Sequence, residues 1–367
     1  MEISIARADI QPRPIICCFE IEDPNWRWFE GPMADTGARF EIKRAVPRNA
    51  LERRLYEFIR YRKWLRIPNL PRPRACFEAV RSAKTENAQV IVTSGPLLAA
   101  WCGLFARLLH VDVPIVGHYF NLDSFPGFAK RWCLSWMLSR VDRFVILSTF
   151  ERDVYSRLLR LPEDRFDVVL WGTTPPIVDS PNLPLEKGEY LCAIGGNGRD
   201  YATLVEAARR LPQIRFVLVV RPDSLHGLEL PANVKVYVEL RQGQTMNILM
   251  HSRFMVLPLL DGRTPYGHIT MVSAMHLGKA FIATDSAGVS DYLDGGRNAL
   301  NVPPNSPREL AAVIEHLWND PLQCRRLGEN GKGFARTRCT EEQMVLHFKS
   351  LLSTLSNRGS LQRGVAP

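Results

Sequence analysis

Short runs of β-branched and apolar residues, each followed by turn residues and then a helical pattern, constrain the fold of this chain most strongly. This order is typical of βα units on a parallel sheet, whose strands are buried on both faces. The sequence predicts nine such strands, at 88–93, 113–117, 144–147, 166–170, 190–194, 215–220, 234–238, 254–259 and 280–284.

One stretch interrupts this alternation. Residues 172–188 hold four prolines and two glycines without an apolar period, which predicts a linker. A chain of 367 residues is long enough for two domains. We therefore predict an α/β protein with two doubly wound, Rossmann-like domains that face a cleft. The expected boundaries are an N-terminal domain at 1–175, a linker at 176–188, a C-terminal domain at 189–340, and at 341–367 a helix that packs back on the N-terminal domain.

Positive charge is concentrated in one segment. The chain has a formal net charge of +9, and residues 41–84 carry thirteen basic against four acidic residues, which accounts for the whole excess. This distribution argues against a nucleic-acid partner and for one local anionic partner. Within 50–66, a helical pattern places apolar residues on one face and basic residues largely off it. Such a helix suits an anionic membrane surface, or else a solvated face over a domain core. The apolar residues are Leu51, Leu55, Phe58, Ile59 and Leu65, and the basic ones are Arg53, Arg54, Arg60 and Lys63.

The sequence shows neither a signal-peptide pattern nor a segment long enough to span a membrane. The first ten residues include two acids and lack the pattern of a signal peptide, and the longest uncharged apolar stretch, 97–106, is about half the length of a membrane-spanning helix. The eight cysteines show no metal-ligand spacing, which favours buried, reduced thiols. We expect a cytoplasmic protein, peripheral on the inner face of the membrane.

A glycine-rich turn follows the predicted strand 190–194. In this turn Gly196, Asn197 and Arg199 are candidates for phosphate binding, and Asp200 is placed to cap the next helix. A tight turn with a surface arginine is the structural alternative. The glycine spacing differs from the dinucleotide fingerprint G-x-G-x-x-G, so an NAD site is not expected.

A second candidate loop precedes the predicted helix 268–277. Gly267 would let a ligand approach the helix, whose first backbone N–H groups, of His268, Ile269 and Thr270, are placed to hold a pyrophosphate. Tyr266 stands directly before this glycine.

The segment around this helix resembles the C-terminal domain of the GT-B glycosyltransferases of group 1, glycosyltransferase family 4. The resemblance covers roughly 140–350 well and the N-terminal third in outline. It implies a GT-B fold, a nucleotide-diphosphate sugar as donor, an acceptor held by the N-terminal domain, and retention of anomeric configuration. No cofactor is implied, and the chain lacks an Asp-x-Asp pair for a metal-bound donor. The matching pieces are Tyr266-Gly267, Ala274-Met275, Gly278, 282–284, Gly288-Val289 and 298–303.

The sequence departs from this family where the chemistry is expected. Pro265 and Ser273 stand where the family has two glutamates, the first near the donor sugar and the second on the nucleotide ribose. Ser273 can still form one ribose hydrogen bond. Asp261 is a candidate replacement for the lost carboxylate. Of the family's two pyrophosphate cations, Gly196 takes the arginine position and Arg199 roughly the lysine position. Arg221, after the strand 215–220, is a candidate second cation.

Further candidates lie in the N-terminal half. His118 follows the strand 113–117, where the family often has a histidine near the reacting sugar, so it could contact the sugar or relay a proton. Phe128, Trp132 and Trp136 form a helical stripe that is more typical of a core than of a membrane contact. Trp26 and Trp28 lie in a polar loop where an acceptor could stack.

Together these features predict a glycosyltransferase that moves a sugar from a nucleotide-diphosphate donor to a glycan or lipid-linked acceptor. The expected role is in bacterial-type polysaccharide or cell-envelope glycoconjugate synthesis. Two alternatives remain: a catalytically silent GT-B partner that binds a glycan or an assembly, because both glutamates are missing, and a sugar-nucleotide epimerase of the same architecture.

Overall fold

The structure, a computed structural model, describes residues 13–21, 31, 33–61, 71–122, 127–260 and 266–363, with backbone alone at 56–61 and 356–363. Some predictions fall outside the described residues or side chains, namely those that concern Trp26, Trp28, Phe58, Ile59, Arg60, Lys63, Leu65, Asp261 and Pro265.

The chain divides into two compact units. Unit 1 comprises Met1–Ile146, Arg152–Asp167 and Val345–Pro367, and unit 2 comprises Leu147–Glu151 and Val168–Met344. The predicted domain boundaries stay a prediction.

Unit 1 is built on a parallel sheet of six strands in the order β2-β1-β3-β4-β5-β6. The strands are β1 (Ile15–Phe19), β2 (Phe40–Arg44), β3 (Val90–Ser94), β4 (Ile115–His118), β5 (Arg143–Ile146) and β6 (Phe166–Val168). The helices are α1 (Ala50–Tyr61), α2 (Pro71–Thr85), α3 (Pro96–Leu108), α4 (Phe128–Leu138) and α5 (Thr149–Leu159).

The strand order of unit 1 reverses next to β1. From β1 the chain pairs first with β2 on one side, and later with β3 on the other. Ligands of open parallel sheets bind at such a switch point, outside the carboxyl ends of the strands. In this sheet the switch point is flanked by Glu20, after β1, and by Gly95, after β3.

Unit 2 contains a second parallel sheet of six strands, in the order β12-β11-β10-β7-β8-β9. Its strands are β7 (Leu191–Ile194), β8 (Phe216–Val220), β9 (Val234–Val238), β10 (Met255–Leu257), β11 (Phe281–Thr284) and β12 (Leu300–Val302). Its helices are α6 (Tyr201–Arg209), α7 (Gln242–His251), α8 (His268–His276), α9 (Pro307–Asn319) and α10 (Pro321–Arg338), and a last helix, α11 (Glu341–Arg363), continues into unit 1.

The switch point of unit 2 lies between β7 and β10. The chain runs from β7 to β8 and β9 on one side, whereas β10, β11 and β12 lie on the other. The two glycine-containing loops predicted to bind phosphate follow β7 and β10, so the topology places both at this switch point.

A buried tyrosine joins distant segments of unit 2. The hydroxyl of Tyr292 accepts a hydrogen bond from the Trp171 N–H at 2.8 Å and donates one to the Leu147 carbonyl at 3.0 Å. Thr149 donates from its backbone N–H and from its hydroxyl to Asp291. These bonds explain why the first turn of α5 belongs to unit 2, which the sequence does not predict.

The predicted α/β fold with parallel sheets is confirmed, and each of the nine predicted strands overlaps an observed one. One prediction is wrong. The side chains of Phe128, Trp132 and Trp136 lie on the solvent side of α4, whose buried residues are Leu134 and Leu138 instead. None of the described helices combines the length and the apolar character that crossing a bilayer requires.

Candidate functional site

The glycine-rich turn after β7 is fixed to the segment that follows β10. Gly195 and Gly198 adopt φ values of 109° and 63°, in the left-handed region that favours glycine. The Asp200 N–H donates to the Pro258 carbonyl at 3.0 Å, and the Leu260 N–H donates to the Gly198 carbonyl at 3.0 Å. The Asp200 carboxylate accepts from the Thr203 N–H at 3.0 Å, which confirms it as the cap of α6.

Arg199 connects this turn to the first turn of α8. Its guanidinium donates to the Ile194 carbonyl at 3.2 Å, to the Asn197 carbonyl at 2.9 Å, and to the Thr270 hydroxyl at 3.0 Å. Burial lowers the pKa of Arg199 to about 10, so the side chain is still a cation at neutral pH. A guanidinium has five N–H groups. Three of those on Arg199 form these hydrogen bonds, which hold the loop in place.

Arg221 lies beside Arg199, at the end of β8. Its guanidinium donates to the Asn197 Oδ1 at 2.7 Å, while the backbone carbonyl of the same Asn197 accepts from Arg199. The side chain of Arg221 is exposed. Asn197 therefore spaces two cations at one edge of the turn, and a side chain at Gly196 would collide with Arg221.

Close packing brings the second loop against the first. A Cβ on Gly198 would lie 2.0 Å from the ring of Tyr266, so only glycine leaves room for that ring. Gly267 begins α8 with φ 97°, and a Cβ there would come within 3.1 Å of Leu257. Among the described residues no side chain caps this helix. The backbone N–H groups of His268, Ile269 and Thr270 thus lie at the N-terminus of α8, beside Arg199.

Two side chains predicted to face the donor point into the protein. The imidazole of His268 is buried and donates from Nε2 to the Gly288 carbonyl at 2.9 Å, and burial lowers its pKa to about 4. The Ser273 hydroxyl donates to the Ile269 carbonyl at 2.8 Å. In this arrangement His268 offers a ligand its backbone N–H rather than a charged ring.

His118 ends β4 in unit 1. Its side chain is only 1% exposed, and its ring lies edge-on to Tyr119, with 4.3 Å between centroids. Burial, with a smaller effect from His347, lowers its pKa to about 3. The imidazole is therefore neutral at physiological pH.

A cavity of about 350 Å³ lies at the switch point of unit 1. It is bounded by the start of α3, where Gly95 and Pro96 follow β3, and by the ion pair between Arg72 and Glu20. Lys130 contributes a further cation. The sequence does not predict this cavity, because Glu20, Arg72 and Asn121 match no motif. Its other lining residues are Ser94, Leu97, Leu98, Leu122 and Leu134.

Three cysteines of unit 1 are close enough together to share a metal ion. The sulfur atoms of Cys18, Cys76 and Cys102 lie within 4.8 Å of one another and are fully buried. Burial raises the pKa of the Cys76 and Cys102 thiols, so both are protonated at neutral pH. In the described part of the chain, which includes all eight cysteines, none forms a disulfide. The predicted buried thiols are observed at seven positions, and Cys133 is exposed.

Two known protein families match the sequence of this chain, one in each half. The family described as glycosyl transferases group 1 matches residues 191–320, and Glycosyltransferase Family 4 matches residues 36–174. No curated protein matches the chain.

Solved structures share the fold at low sequence identity. A glycosyltransferase from Rickettsia africae is 14% identical with a TM-score of 0.65, covering 94% of this chain and 98% of that one. Sucrose-phosphate synthase from Thermosynechococcus elongatus is 17% identical with a TM-score of 0.69, covering 94% and 99%. Anabaena HepE in complex with UDP is 13% identical with a TM-score of 0.61, covering 96% and 99%. With family matches in both halves and this shared fold, the chain belongs to the GT-B glycosyltransferases of the group 1 and family 4 type.

Proposed function

We propose that unit 2 binds the diphosphate of a nucleotide-sugar donor and that the chain transfers the sugar to an acceptor held by unit 1. One observation carries this proposal: Arg199, Arg221 and the start of α8, which no described side chain caps, converge at the switch point of unit 2. It is supported by the structures of Anabaena HepE with UDP and with UDP-glucose, which have the same fold.

These groups suit the electrostatics of donor cleavage. When the bond between the sugar and the diphosphate breaks, negative charge grows on the departing phosphate oxygen. Two guanidinium groups and the N–H groups of a helix N-terminus are fixed positive partners for that charge. Because the protein itself supplies this positive charge, we propose that the transfer does not require a metal ion. Asn197 is a positioning residue, since it hydrogen-bonds to both guanidinium groups.

Both family glutamates are replaced, by Pro265 and Ser273, so the sugar side of the donor needs other residues. We assign Asp261 to the sugar side of the donor on sequence alone, and retention of configuration by the family resemblance. By the family resemblance alone we place His118 near the sugar. Burial lowers the pKa of its imidazole to about 3, so at physiological pH the ring is neutral and is not a proton donor of the imidazolium kind.

The acceptor is proposed to enter the cavity of unit 1, whose mixture of apolar and charged lining suits a glycan or a lipid-linked sugar. A role in polysaccharide or cell-envelope glycoconjugate synthesis at the inner face of the membrane fits such an acceptor. Exposure of Leu51, Leu55, Arg53 and Arg54 on α1 supports membrane contact through 41–84.

Calorimetric titration with UDP, GDP and ADP, and with their glucose conjugates, tests donor binding. Arg221→Ala removes a charged hydrogen-bond donor and should weaken binding about 10- to 100-fold. Arg241→Ala is the matched control, because Arg241 is an exposed arginine of unit 2 that starts a different helix. Equal affinity of the two variants would remove Arg221 from the site. Arg199→Lys is preferable to alanine, because the three contacts of Arg199 also stabilise the fold.

The same titration separates the alternatives. A catalytically silent partner would bind none of the nucleotides, and this result would overturn the proposal. An epimerase would bind a donor and convert it without any acceptor, which chromatography of the products after incubation with donor alone would show.

A further inference from the structure

We propose that α3 and α4 of unit 1 form a docking surface for a bilayer that contains anionic phospholipids. This α3–α4 face consists of Leu97 and Leu108 on α3 and Phe128, Trp132 and Trp136 on α4. It is separate from the basic segment 41–84, and neither the family resemblance nor the donor site accounts for it.

The apolar side chains of the α3–α4 face are turned to solvent. The exposed fractions are 74% for Phe128, 68% for Trp132 and 46% for Trp136, and 62% for Leu108. Spacing of i, i+4 and i+8 puts the three aromatic residues in one stripe along α4, beside the exposed Ala129 and Cys133. Exposed apolar side chains grouped in this way usually mark an interaction site, whereas scattered ones do not.

Contacts between the helices make this surface continuous. A Cβ on Gly103 of α3 would lie 2.3 Å from the Met137 carbonyl oxygen, so the backbones of α3 and α4 approach closely there. The Arg107 guanidinium, on α3, lies 5.4 Å from the Trp136 ring. Trp101 stacks on Phe105 at 5.8 Å, and both of these α3 rings are half-buried, with Phe105 against Phe77 of α2.

The charges on these helices favour a lipid surface. Neither α3 nor α4 contains an acidic residue, and their charged residues are Arg107, Lys130 and Arg131. Cations near anionic headgroups and tryptophan at the level of the interface are the two features that hold a helix in the plane of a membrane. A second copy of the chain on this face would bring the same three cations toward one another, because a two-fold contact is self-complementary.

The α3–α4 face adjoins the cavity of unit 1. Leu97 and Lys130 line that cavity, and Leu134 lines it from the buried side of α4. A bilayer on this face would present its headgroups at the cavity mouth, so the acceptor class it favours is a membrane-embedded amphiphile with an anionic headgroup. This last step rests on the proposed function, whereas the docking itself does not.

Co-sedimentation with vesicles tests the docking. The full chain should bind vesicles of phosphatidylcholine mixed with phosphatidylglycerol, and bind pure phosphatidylcholine less. The triple variant Phe128→Ser, Trp132→Ser, Trp136→Ser should bind the mixed vesicles at least about tenfold more weakly, because it loses the apolar contact. Ile177→Ser, Leu183→Ser is the matched control, since it removes exposed apolar side chains from unit 2. This control should bind as the unchanged protein does.

Three results would overturn the proposal: no binding of the unchanged protein to mixed vesicles, equal binding of the triple and control variants, or a lipid-free dimer that the triple variant abolishes. The last would assign the α3–α4 face to a second copy of the chain. Titration of the triple variant with UDP tests membrane docking separately from the proposed donor binding. Lost vesicle binding with intact UDP affinity supports docking, and absent UDP affinity in the unchanged protein contradicts the proposed function alone.

Discussion

Replacing Gly198 with alanine should damage the donor site more than its backbone conformation alone explains. At φ 63° an alanine costs roughly 1–2 kcal/mol. Its Cβ would also lie 2.0 Å from Cδ2 and 2.5 Å from Cγ of Tyr266. Carbon atoms prefer a separation of about 3.5–4.0 Å. Because Cγ is the root of the ring, rotation of the ring about its own axis does not relieve the overlap, and the whole side chain must move.

Overpacking of this kind costs about 1–3 kcal/mol. Gly198→Ala should therefore lower the free energy of unfolding by roughly 2–5 kcal/mol in total. Gly227→Ala is a matched control in the same unit, because Gly227 has φ 76° and a Cβ there meets nothing within 4 Å. Only the conformational cost of roughly 1–2 kcal/mol is expected for it.

Urea unfolding followed by tryptophan fluorescence measures both variants, and UDP titration measures the site. Since Tyr266 directly precedes Gly267 and α8, its displacement should also weaken UDP binding in Gly198→Ala and leave it unchanged in Gly227→Ala. The double variant Gly198→Ala, Tyr266→Ala should show a favourable coupling of about 1–3 kcal/mol, because the clash is gone. Equal destabilisation of the two glycine variants, without coupling, would refute this account.

Two further predictions concern buried groups of unit 2. Burial lowers the pKa of His268 to about 4, below the ordinary 6.5, so the folded protein holds the ring neutral. The stability of the fold is therefore unaffected by this group above pH 6.5 and decreases as the pH falls from 6.5 toward 4. At 1.36 kcal/mol per pH unit, the loss of free energy of unfolding is about 3 kcal/mol. His268→Gln should reduce this loss, measured by urea unfolding at pH 7 and pH 4.5. An unchanged difference between the two pH values would contradict the prediction. Tyr292→Phe deprives the Trp171 N–H and the Leu147 carbonyl of a buried partner and should cost about 2–4 kcal/mol by the same assay. A loss below about 0.5 kcal/mol would show that these groups find other partners.

Nine of the twelve described strands, and the loops after β7 and β10, were predictable from the local sequence, whereas β1, β2 and β12 were not predicted. Strands buried on both faces are almost continuously apolar, and glycine marks the left-handed turns at their ends. The contacts of Arg199 were not predictable, since its carbonyl partners are set by how the turn folds back on β7. An aromatic stripe such as that on α4 defines one face of a helix, but the sequence does not tell which face the sheet covers.

The replacement of the second family glutamate by Ser273 leads to a prediction about ribose recognition. A carboxylate on a ribose hydroxyl forms a charge-assisted hydrogen bond worth about 1.5–3 kcal/mol. The Ser273 hydroxyl instead donates to the Ile269 carbonyl, inside its own helix. Removal of this hydroxyl by Ser273→Ala should therefore change the affinity for UDP less than about threefold. The affinities of the unchanged protein for UDP and for 2′-deoxy-UDP should differ by a similarly small factor. Arg221→Ala, measured in the same titration, shows the size of a real contact. If Ser273→Ala instead weakens UDP but not 2′-deoxy-UDP about tenfold, the serine binds the ribose, and recognition in unit 2 is not confined to the diphosphate.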